Sequence, residues 1–369
     1  MKTKAAVFYD SSQPLKVEEL TLDEPKTGEV RVKMAFAGLC HSDLHIMDDE
    51  LPIGMTPMAL GHEGAGIVDA VGPGVTRVKA GDHVVLTFIP SCGKCRWCVS
   101  GMTQLCDLGA GILAGPQMDG TYRMHNEGGQ DVGQMCIIST FSEYTVVNQD
   151  SVCLIDDSYP LDVACLVGCG VATGFGAVVN RAKVTPGSSV LVIGIGGIGM
   201  NAIQGAKASN ASIIIAADIL DNKLEWSKEF GATHTINSEK EDLLAKVMEI
   251  THGLGVDFSF EAISTPPTIG QAFAATGKGG TTVVIGLTPA NAETIPISPL
   301  MLVLYQKSIL GTLYGTSNPQ YEIPKLLNMY SHGQIKLKEL ITNTYTLDQV
   351  NEGYADLKAG KNIRGVIKF

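Results

Sequence analysis

Four cysteines stand within fifteen residues of one segment, at spacings that can hold a metal ion. The segment runs from Cys92 through Cys95 and Cys98 to Cys106, with two, two and seven intervening residues. Four thiolates so placed suit a closed tetrahedral zinc site, which is structural because it has no open position. A bacterial iron–sulfur run would end with x3 and Cys-Pro, whereas Asp107 follows Cys106. Disulfide frameworks belong to short secreted chains, so the spacing predicts structural zinc.

Two further cysteines and a histidine could form a metal site of another kind. Cys40 begins the run C-H-S-D-L-H, His62 lies in G-H-E-G-A-G, and Cys169 lies in G-C-G. None is diagnostic alone, because an isolated cysteine such as Cys165 is usually a core residue and a lone histidine is usually a satisfied polar group. Together they offer two thiolates, one imidazole and an open fourth position, which is the Cys₂His arrangement of a catalytic zinc site.

A glycine-rich turn predicts a dinucleotide site. Gly194-x-Gly196-Gly197-x-Gly199 follows the first strand of an alternating region and opens a helix. Glycines there let the backbone approach a pyrophosphate at the helix N-terminus. Asp218 ends the next strand, 19 residues beyond Gly199, where a carboxylate accepts from the ribose 2′-hydroxyl and repels a 2′-phosphate. The pattern therefore predicts NAD rather than NADP.

Three stretches of different character must position these groups. Residues 1–170 contain short alternating runs with glycine and proline punctuation, which indicate a β-rich domain. Residues 171–313 alternate apolar strands with helices, which predicts a parallel sheet with helices on both faces. Residues 314–369 contain a helix and end in a strand that we expect to return to the first domain. The expected strands include Glu29–Met34, Asp82–Leu86, Ser189–Ile193, Ser212–Ala217, Val256–Phe260, Thr281–Ile285 and Ile363–Phe369, and the expected helices Ile198–Ala208, Asn222–Phe230 and Tyr321–Tyr330.

Bulk properties limit the classes of function. The chain has 369 residues, enough for about two domains, and 45% of them are hydrophobic. Its net charge of −11 argues against nucleic acid, which needs a basic surface. The N-terminus lacks the apolar region of a signal peptide, and the uncharged stretch 184–206 is interrupted by glycines, so no membrane span is expected. Nine cysteines without a secretion signal favour the reducing cytoplasm.

The motifs together resemble those of the zinc-dependent medium-chain alcohol dehydrogenases. The resemblance covers Lys4 to Phe369 and includes the four-cysteine segment, G-H-E-x-x-G, G-C-G-x-x-T-G and the glycine turn, in that order. It implies an α/β fold in which a doubly wound Rossmann sheet is joined to a β-rich GroES-like catalytic domain. It also implies oxidation of an alcohol by hydride transfer to NAD, with zinc lowering the pKa of the alcohol hydroxyl.

The resemblance assigns roles around the catalytic zinc. Cys40, His62 and Cys169 would hold the metal, while Asp43 would orient His62 and Glu63 would lie behind the metal. The sequence-predicted metal-site residues, including those of the structural site, are Cys40, His62, Glu63, Cys169, Cys92, Cys95, Cys98 and Cys106. Ser42 and His45 would relay the proton through the cofactor ribose to solvent.

Other residues are implied to bind the cofactor. Thr173 would pack near the nicotinamide, Lys223 would lie beside the adenosine ribose with Asp218, and Arg364 would contact the pyrophosphate. In many members of the family an arginine follows the first zinc-ligand cysteine. His41 occupies that position here, so we expect a weaker and pH-sensitive phosphate contact.

Family positions also indicate an apolar substrate pocket, which suits a primary alcohol with an apolar or aromatic body. Ordinary core packing is the alternative explanation for the residues at these positions, which are Leu51, Phe88, Met135, Cys136, Leu287 and Leu313. Members that oxidise the formaldehyde–glutathione adduct usually carry tyrosine where His45 stands, which argues against that substrate.

Alternatives remain open at this point. The segment 109–152, with D-G-T-Y-R-M-H and T-F-S-E-Y-T-V-V, also resembles bacterial nicotinoprotein alcohol dehydrogenases, which retain NAD and pass electrons to an external acceptor. A zinc-ribbon binding module is disfavoured by the acidic charge. A zinc-free reductase is disfavoured by the presence of all three ligands. Family members are homodimers or homotetramers, and the long segment after Cys106 favours a dimer.

Overall fold

The computed structural model describes residues 1–292 and 294–369, which divide into two compact units. Unit 1 comprises Met1–Cys169, Asn318–His332 and Leu337–Phe369, and unit 2 comprises Gly170–Ser317 and Gly333–Lys336. The units are defined by contacts between residues and not by function. The assignment of residues 1–170 and 314–369 to a catalytic domain and of 171–313 to an NAD-binding domain stays a prediction.

Strands and helices in the described residues are numbered in chain order. The strands are β1 Lys2–Phe8, β2 Lys16–Leu22, β3 Glu29–Gly38, β4 Met58–Ala59, β5 Gly64–Val71, β6 His83–Leu86, β7 Met124–His125, β8 Asp131–Gln134, β9 Tyr144–Asn148, β10 Val152–Leu154, β11 Ser189–Ile193, β12 Ile213–Asp218, β13 His234–Asn237, β14 Val256–Glu261, β15 Thr276–Val284, β16 Ser308–Gly311, β17 Ile341–Tyr345 and β18 Arg364–Lys368. The helices are α1 His41–Met47, α2 Arg96–Val99, α3 Leu161–Val167, α4 Gly170–Gly176, α5 Gly197–Ala208, α6 Asp221–Phe230, α7 Leu243–Ile250, α8 Pro266–Ala275, α9 Pro299–Leu304, α10 Pro319–Ser331 and α11 Val350–Lys358.

Unit 1 is built from a closed barrel and a mixed sheet. The barrel has the order β1-β2-β7-β8-β4, and the sheet has the order β10-β6-β5-β3-β18-β17, with β9 also paired to β3. Alternate residues of β3, such as Val30, Val32 and Met34, enter the core because side chains of a strand alternate between its faces. Since β18 pairs with the end of β3, the strand that precedes Cys40 lies beside the strand that begins at Arg364.

Unit 2 contains a parallel sheet of order β13-β12-β11-β14-β15-β16. Leu191, Ile193, Ile215 and Ala217 are buried between this sheet and its helices. The strand order reverses between β11 and β14, and nucleotides bind at the carboxyl ends of strands at such a point. The predicted fold class is therefore confirmed.

One strand of unit 2 is longer than its sequence predicted. β15 begins at Thr276 rather than Thr281, because the glycine-rich run Gly277–Gly280 stays in the sheet. The register against β14 shifts between Val256 and Phe258, which accommodates the extra residues.

The described residues contain no single helix long and apolar enough to cross a membrane, although the bent pair Leu161–Val167 and Gly170–Ala182 passes on length and composition.

Candidate active site

Three potential metal ligands converge in unit 1. The Sγ atoms of Cys40 and Cys169 and a ring nitrogen of His62 all lie within 4.8 Å of one another, and all three residues are buried. Cys40 immediately precedes α1, His62 precedes β5, and Cys169 follows α3. Three separate elements therefore bring together residues that are distant in the sequence.

The spacing of these atoms fits a tetrahedral zinc ion. With Zn–S of about 2.3 Å and Zn–N of about 2.0 Å, tetrahedral angles place neighbouring S and N ligand atoms about 3.5 Å apart. Cys169 Sγ lies 3.4 Å from His62 Nε2. Two thiols and one imidazole leave the fourth position for substrate.

The protonation states of Cys40, His62 and Cys169, called the triad below, favour the binding of a cation. The pKa of Cys40 lies well below that of a free thiol, chiefly because Cys169 donates a hydrogen bond to it. Burial raises this pKa, and the charge of His62 lowers it further. The pKa of Cys169 is raised well above it, because Cys169 is the donor in that bond and is buried. Burial opposes protonation of His62, yet Asp43 and the two cysteines raise its pKa well above the ordinary value. A dication would replace the protons on His62 and Cys169.

Asp43 fixes the orientation of the His62 ring. Its Oδ2 lies 3.1 Å from His62 Nδ1 as an ion pair, and its Oδ1 accepts a hydrogen bond from the Gly61 amide at 2.9 Å. Nε2 is thereby directed to the thiols, as expected for a carboxylate behind a metal-ligating histidine. Tyr354, which the sequence did not indicate, is buried near Asp43, and burial together with that charge raises its pKa well above the ordinary value.

Glu63 and Arg364 form a buried ion pair beside the triad. Arg364 Nη2 donates to Glu63 Oε1 at 2.5 Å, and the side chains are 5% and 0% exposed. Glu63 is not among the three clustered ligand atoms. Burial lowers the pKa of Arg364, but the charges of Glu63 and the neighbouring cysteines together outweigh burial and raise that pKa. The contact of Arg364 with a pyrophosphate stays a prediction.

Three predicted polar residues, Ser42, His45 and His41, lie on α1. Ser42 is half-buried, and its Oγ lies 3.8 Å from Cys40 Sγ. His45 follows one turn later, and its ring centroid lies 6.5 Å from that of the exposed His41. His45 Nδ1 lies 2.5 Å from Glu50 Oε2, a contact that the sequence analysis missed.

The four-cysteine segment forms a second cluster. The four Sγ atoms lie within 4.8 Å of one another, with Cys92–Cys98 and Cys95–Cys106 both at 3.9 Å, close to the value of about 3.8 Å for tetrahedral zinc thiolates. Backbone amides donate to the sulfurs, at 3.3 Å to Cys92 and 3.5 Å to Cys95. Such bonds lower the pKa of Cys95 to about 6, whereas burial raises that of Cys98 to about 12.

Four of the predicted substrate-pocket residues belong to the unit 1 core cluster. Met135 and Cys136 are buried there, and Leu51 and Phe88 pack against it. The Phe88 ring lies edge-on to His62, with centroids 5.8 Å apart. Burial raises the pKa of the Cys136 thiol to about 12, so it is a neutral apolar group. The remaining two residues lie in unit 2, where each is 44% exposed: Leu287 and Leu313.

Two neighbours of this cluster had no local sequence signal. Ile112 and Leu113 pack against the same cluster, and the Ile112 carbonyl accepts from the Cys136 amide at 2.6 Å. Cys136 and Ile137 both have positive φ, an uncommon conformation for non-glycine residues. Nothing in a run without glycine predicts this backbone, so the shape of the pocket wall depends on tertiary contacts.

In unit 2 the backbone of the predicted glycine turn leaves no room for side chains at two positions. Gly194 has φ of +89°, and a Cβ on Gly199 would lie 1.9 Å from the Gly194 carbonyl, so neither tolerates a side chain. A Cβ on Gly196 would meet nothing within 4 Å, which leaves open space at the N-terminus of α5, whose first residue is Gly197.

Asp218 stands at the end of β12 beside this turn. Its Oδ2 accepts from the Ile195 amide at 2.7 Å and its Oδ1 from the Leu220 amide at 3.0 Å, so the carboxylate is held in place. Lys223 Nζ lies 4.0 Å from Asp218 Oδ2. Thr173, on α4, is 7% exposed. The residues fit a dinucleotide, while their individual roles stay predictions.

Comparisons with known proteins identify relatives along the whole chain. A model described as alcohol dehydrogenase GroES-like domain matches residues 26–157, and one described as zinc-binding dehydrogenase matches residues 197–332. The chain is 49% identical to an NDMA-dependent alcohol dehydrogenase of Amycolatopsis methanolica, over 100% of this chain and 99% of that one. It is 42% identical to an S-(hydroxymethyl)glutathione dehydrogenase of Saccharomyces cerevisiae, over 100% and 96%. The structure matches benzyl alcohol dehydrogenase of Acinetobacter calcoaceticus with a TM-score of 0.94 and 34% identity, covering 100% and 99%.

Proposed function

Because this chain belongs to the zinc-dependent medium-chain alcohol dehydrogenase family, we propose that it oxidises primary alcohols to aldehydes and catalyses the reverse reduction. Zinc and NAD are its cofactors. The observation that carries the proposal is the buried cluster of Cys40, His62 and Cys169, whose spacing suits zinc and whose charges favour a dication.

Each residue of the cluster has a defined task in this proposal. Cys40, His62 and Cys169 bind the catalytic zinc, and Asp43 keeps His62 Nε2 directed at it. Bound zinc supplies Lewis acidity at the alcohol oxygen, and bound NAD supplies the hydride acceptor. Phe88, edge-on to His62, contributes an apolar wall that excludes water from the reacting groups.

The proton of the alcohol leaves along α1. Ser42 and His45 are three residues apart and therefore neighbours on one face of the helix. Ser42 accepts a hydrogen bond from the alcohol hydroxyl, and the proton passes through the cofactor ribose to the imidazole of His45.

The substrate that suits this pocket is a primary alcohol with an apolar or aromatic body. Met135, Cys136, Leu51 and Phe88 present apolar surface in unit 1, and a solved relative is a benzyl alcohol dehydrogenase. The yeast relative is named for a glutathione adduct, which carries charged groups that these side chains would not bind. Comparing kcat/KM for benzyl alcohol and for S-(hydroxymethyl)glutathione tests this choice.

A second candidate cycle is that of a nicotinoprotein, in which NAD stays bound and an external acceptor removes the electrons. The 49% identity to an NDMA-dependent alcohol dehydrogenase supports it. The test is to desalt the protein thoroughly, denature it and quantify NAD(H) in the supernatant. About one equivalent per chain would favour the nicotinoprotein, whereas an empty protein would favour exchangeable NAD.

Replacing one zinc ligand tests the catalytic proposal directly. Cys169→Ala should reduce zinc from two ions to one per chain and abolish turnover while the protein still folds. Cys165→Ala is a matched control, because Cys165 is also a buried free thiol, on α3, but lies outside the ligand cluster. Retained activity in Cys169→Ala would refute the ligand assignment.

For assembly and location we propose a homodimer in the cytoplasm. Strand β16 ends the order of the parallel sheet, and α9 exposes Leu300, Val303 and Leu304 at 64%, 72% and 64%. A second copy joined along β16 would continue the sheet and cover these side chains. In sedimentation the parent should have the mass of a dimer and Val303→Glu the mass of a monomer. Equal masses for the two proteins would contradict the proposed interface.

A further inference from the structure

A carboxylate lies directly on the proposed proton carrier. Glu50 Oε2 is 2.5 Å from His45 Nδ1, across the short turn that follows α1. The amides of Glu50 and Leu51 donate to the His45 carbonyl at 2.8 and 3.0 Å, so the backbone holds the two residues in register. The backbone of the folded turn therefore places Glu50 next to His45.

Solvent exposure rises from Cys40 through His45 to Glu50. Cys40 is 5% exposed, the His45 side chain is 15% exposed, and that of Glu50 is 43% exposed. Ser42 stands between the first two and is half-buried. The series leads from the buried ligand cluster to water, and Glu50 stands at its outer end.

We propose that Glu50 is a positioning residue for His45, whose carboxylate holds the Nδ1 proton and leaves Nε2 free to accept the proton released by the alcohol. The inference rests on the proposed function, because it assigns a purpose to the outer end of the same relay. A neutral imidazole carries one proton, and the hydrogen bond made by one ring nitrogen decides where that proton sits.

The proton balance of the step is simple. His45 begins neutral, with Nδ1–H donating to Glu50, and gains one proton at Nε2. The resulting imidazolium is paired with the ionised carboxylate until it releases one proton to bulk water. Glu50 remains ionised throughout, as does the carboxylate behind a catalytic histidine in other enzymes.

Other charged groups near this turn are engaged elsewhere. Asp48 pairs with Lys358 Nζ at 2.8 Å, and Asp49 accepts from the Ser11 hydroxyl. The His41 ring approaches His45 only to a centroid distance of 6.5 Å. Of the three consecutive acidic residues, Glu50 is thus the one whose carboxylate contacts the His45 ring.

The tautomer of His45 provides a test that does not depend on turnover. In protein labelled with ¹⁵N-histidine, and with the His45 signals assigned from the spectrum of a His45→Gln variant, the parent should show the Nδ1–H form. In Glu50→Ala the signals should move toward the Nε2–H form. Turnover of benzyl alcohol should fall about fivefold in kcat, as expected for loss of a half-exposed charged pair, with KM changed less than about twofold. Glu50→Asp should retain most of the parental Nδ1–H form and most of the parental kcat.

A second histidine–carboxylate contact serves as a control, although His125 Nε2 also lies 3.3 Å from Asp23 Oδ2. His125 Nδ1 lies 2.9 Å from Asp131 Oδ1 at the barrel of unit 1, and Asp131→Asn should alter the His125 signals without altering kcat. An unchanged His45 tautomer in Glu50→Ala would overturn the inference, and so would a fall in kcat without a tautomer change. An inactive parent with an Nδ1–H tautomer would instead refute the proposed function and leave the positioning of His45 supported.

Discussion

Removing either partner of the Glu63–Arg364 pair should destabilise unit 1 strongly. The side chains are 0% and 5% exposed, so a single substitution leaves the other charge buried without its counterion. Breaking a buried pair in this way costs about 3–5 kcal/mol. Unit 1 contains roughly 220 residues, for which 1 kcal/mol moves Tm by about 2–4 °C. Glu63→Gln and Arg364→Met should therefore each lower the melting temperature by roughly 6–20 °C.

The assay is thermal unfolding of the parent, both single variants and the double variant. The double variant should melt closer to the parent than either single variant, because no uncompensated charge remains buried. Glu225→Gln is the control, since Lys228 and Glu225 form an exposed pair that should contribute little. Single variants that melt within about 2 °C of the parent would refute the reasoning, because they would show that the remaining charge is solvated.

Three further predictions concern the metal and cofactor sites. Cys98→Ser should lower Tm and reduce zinc to one ion per chain, and a melt equal to that of the parent would mean that the four-cysteine cluster is not structural. Asp218→Asn should raise kcat/KM for NADP relative to NAD, because it removes a charge that repels a 2′-phosphate. A chelator should remove zinc from the triad more readily as pH falls. The raised pKa of His62 means that a proton competes with zinc for this imidazole, and lower pH favours the proton. Protonation of His62 stabilises the metal-free fold below its raised pKa, so Tm of the metal-free protein should not fall in the same range. The check is to measure zinc per chain after chelation between pH 9 and 6, with Cys169→Ala reporting the structural site alone. A zinc content that does not change with pH would contradict the prediction.

The alternation of strands and helices in residues 171–313 could be predicted from local sequence patterns. β11 matches its expected bounds Ser189–Ile193, because a run of buried branched residues between turn residues admits few other structures. The start of α5 follows from the glycine turn, and its end near Ser209 follows from the polar residues there. These signals are local, so they need no knowledge of the rest of the molecule.

The catalytic cluster was predicted from the ligand chemistry of its residues and from the family resemblance, not from any sequence periodicity. Cys169 and His62 are 107 residues apart in the chain, and no periodicity relates them. Glu50 escaped notice because an exposed carboxylate in an acidic run has no local signal, and only the turn after α1 directs it to His45. Arg364 was expected to contact phosphate, and its buried pairing with Glu63 depends on the neighbouring strands β3 and β18.

The pairing of β18 with β3 has a consequence for biosynthesis. Arg364 and Glu63 are separated by 301 residues, and the intervening chain includes all of unit 2. On the ribosome, unit 2 emerges in full before the sheet of unit 1 can receive its inserted strand. The N-terminal segment must therefore wait with an open sheet, and β3 lacks one neighbour until β18 arrives. A nascent or truncated chain that stops short of β18 would expose that edge to other chains, so we expect such fragments to be substrates for chaperones and proteases.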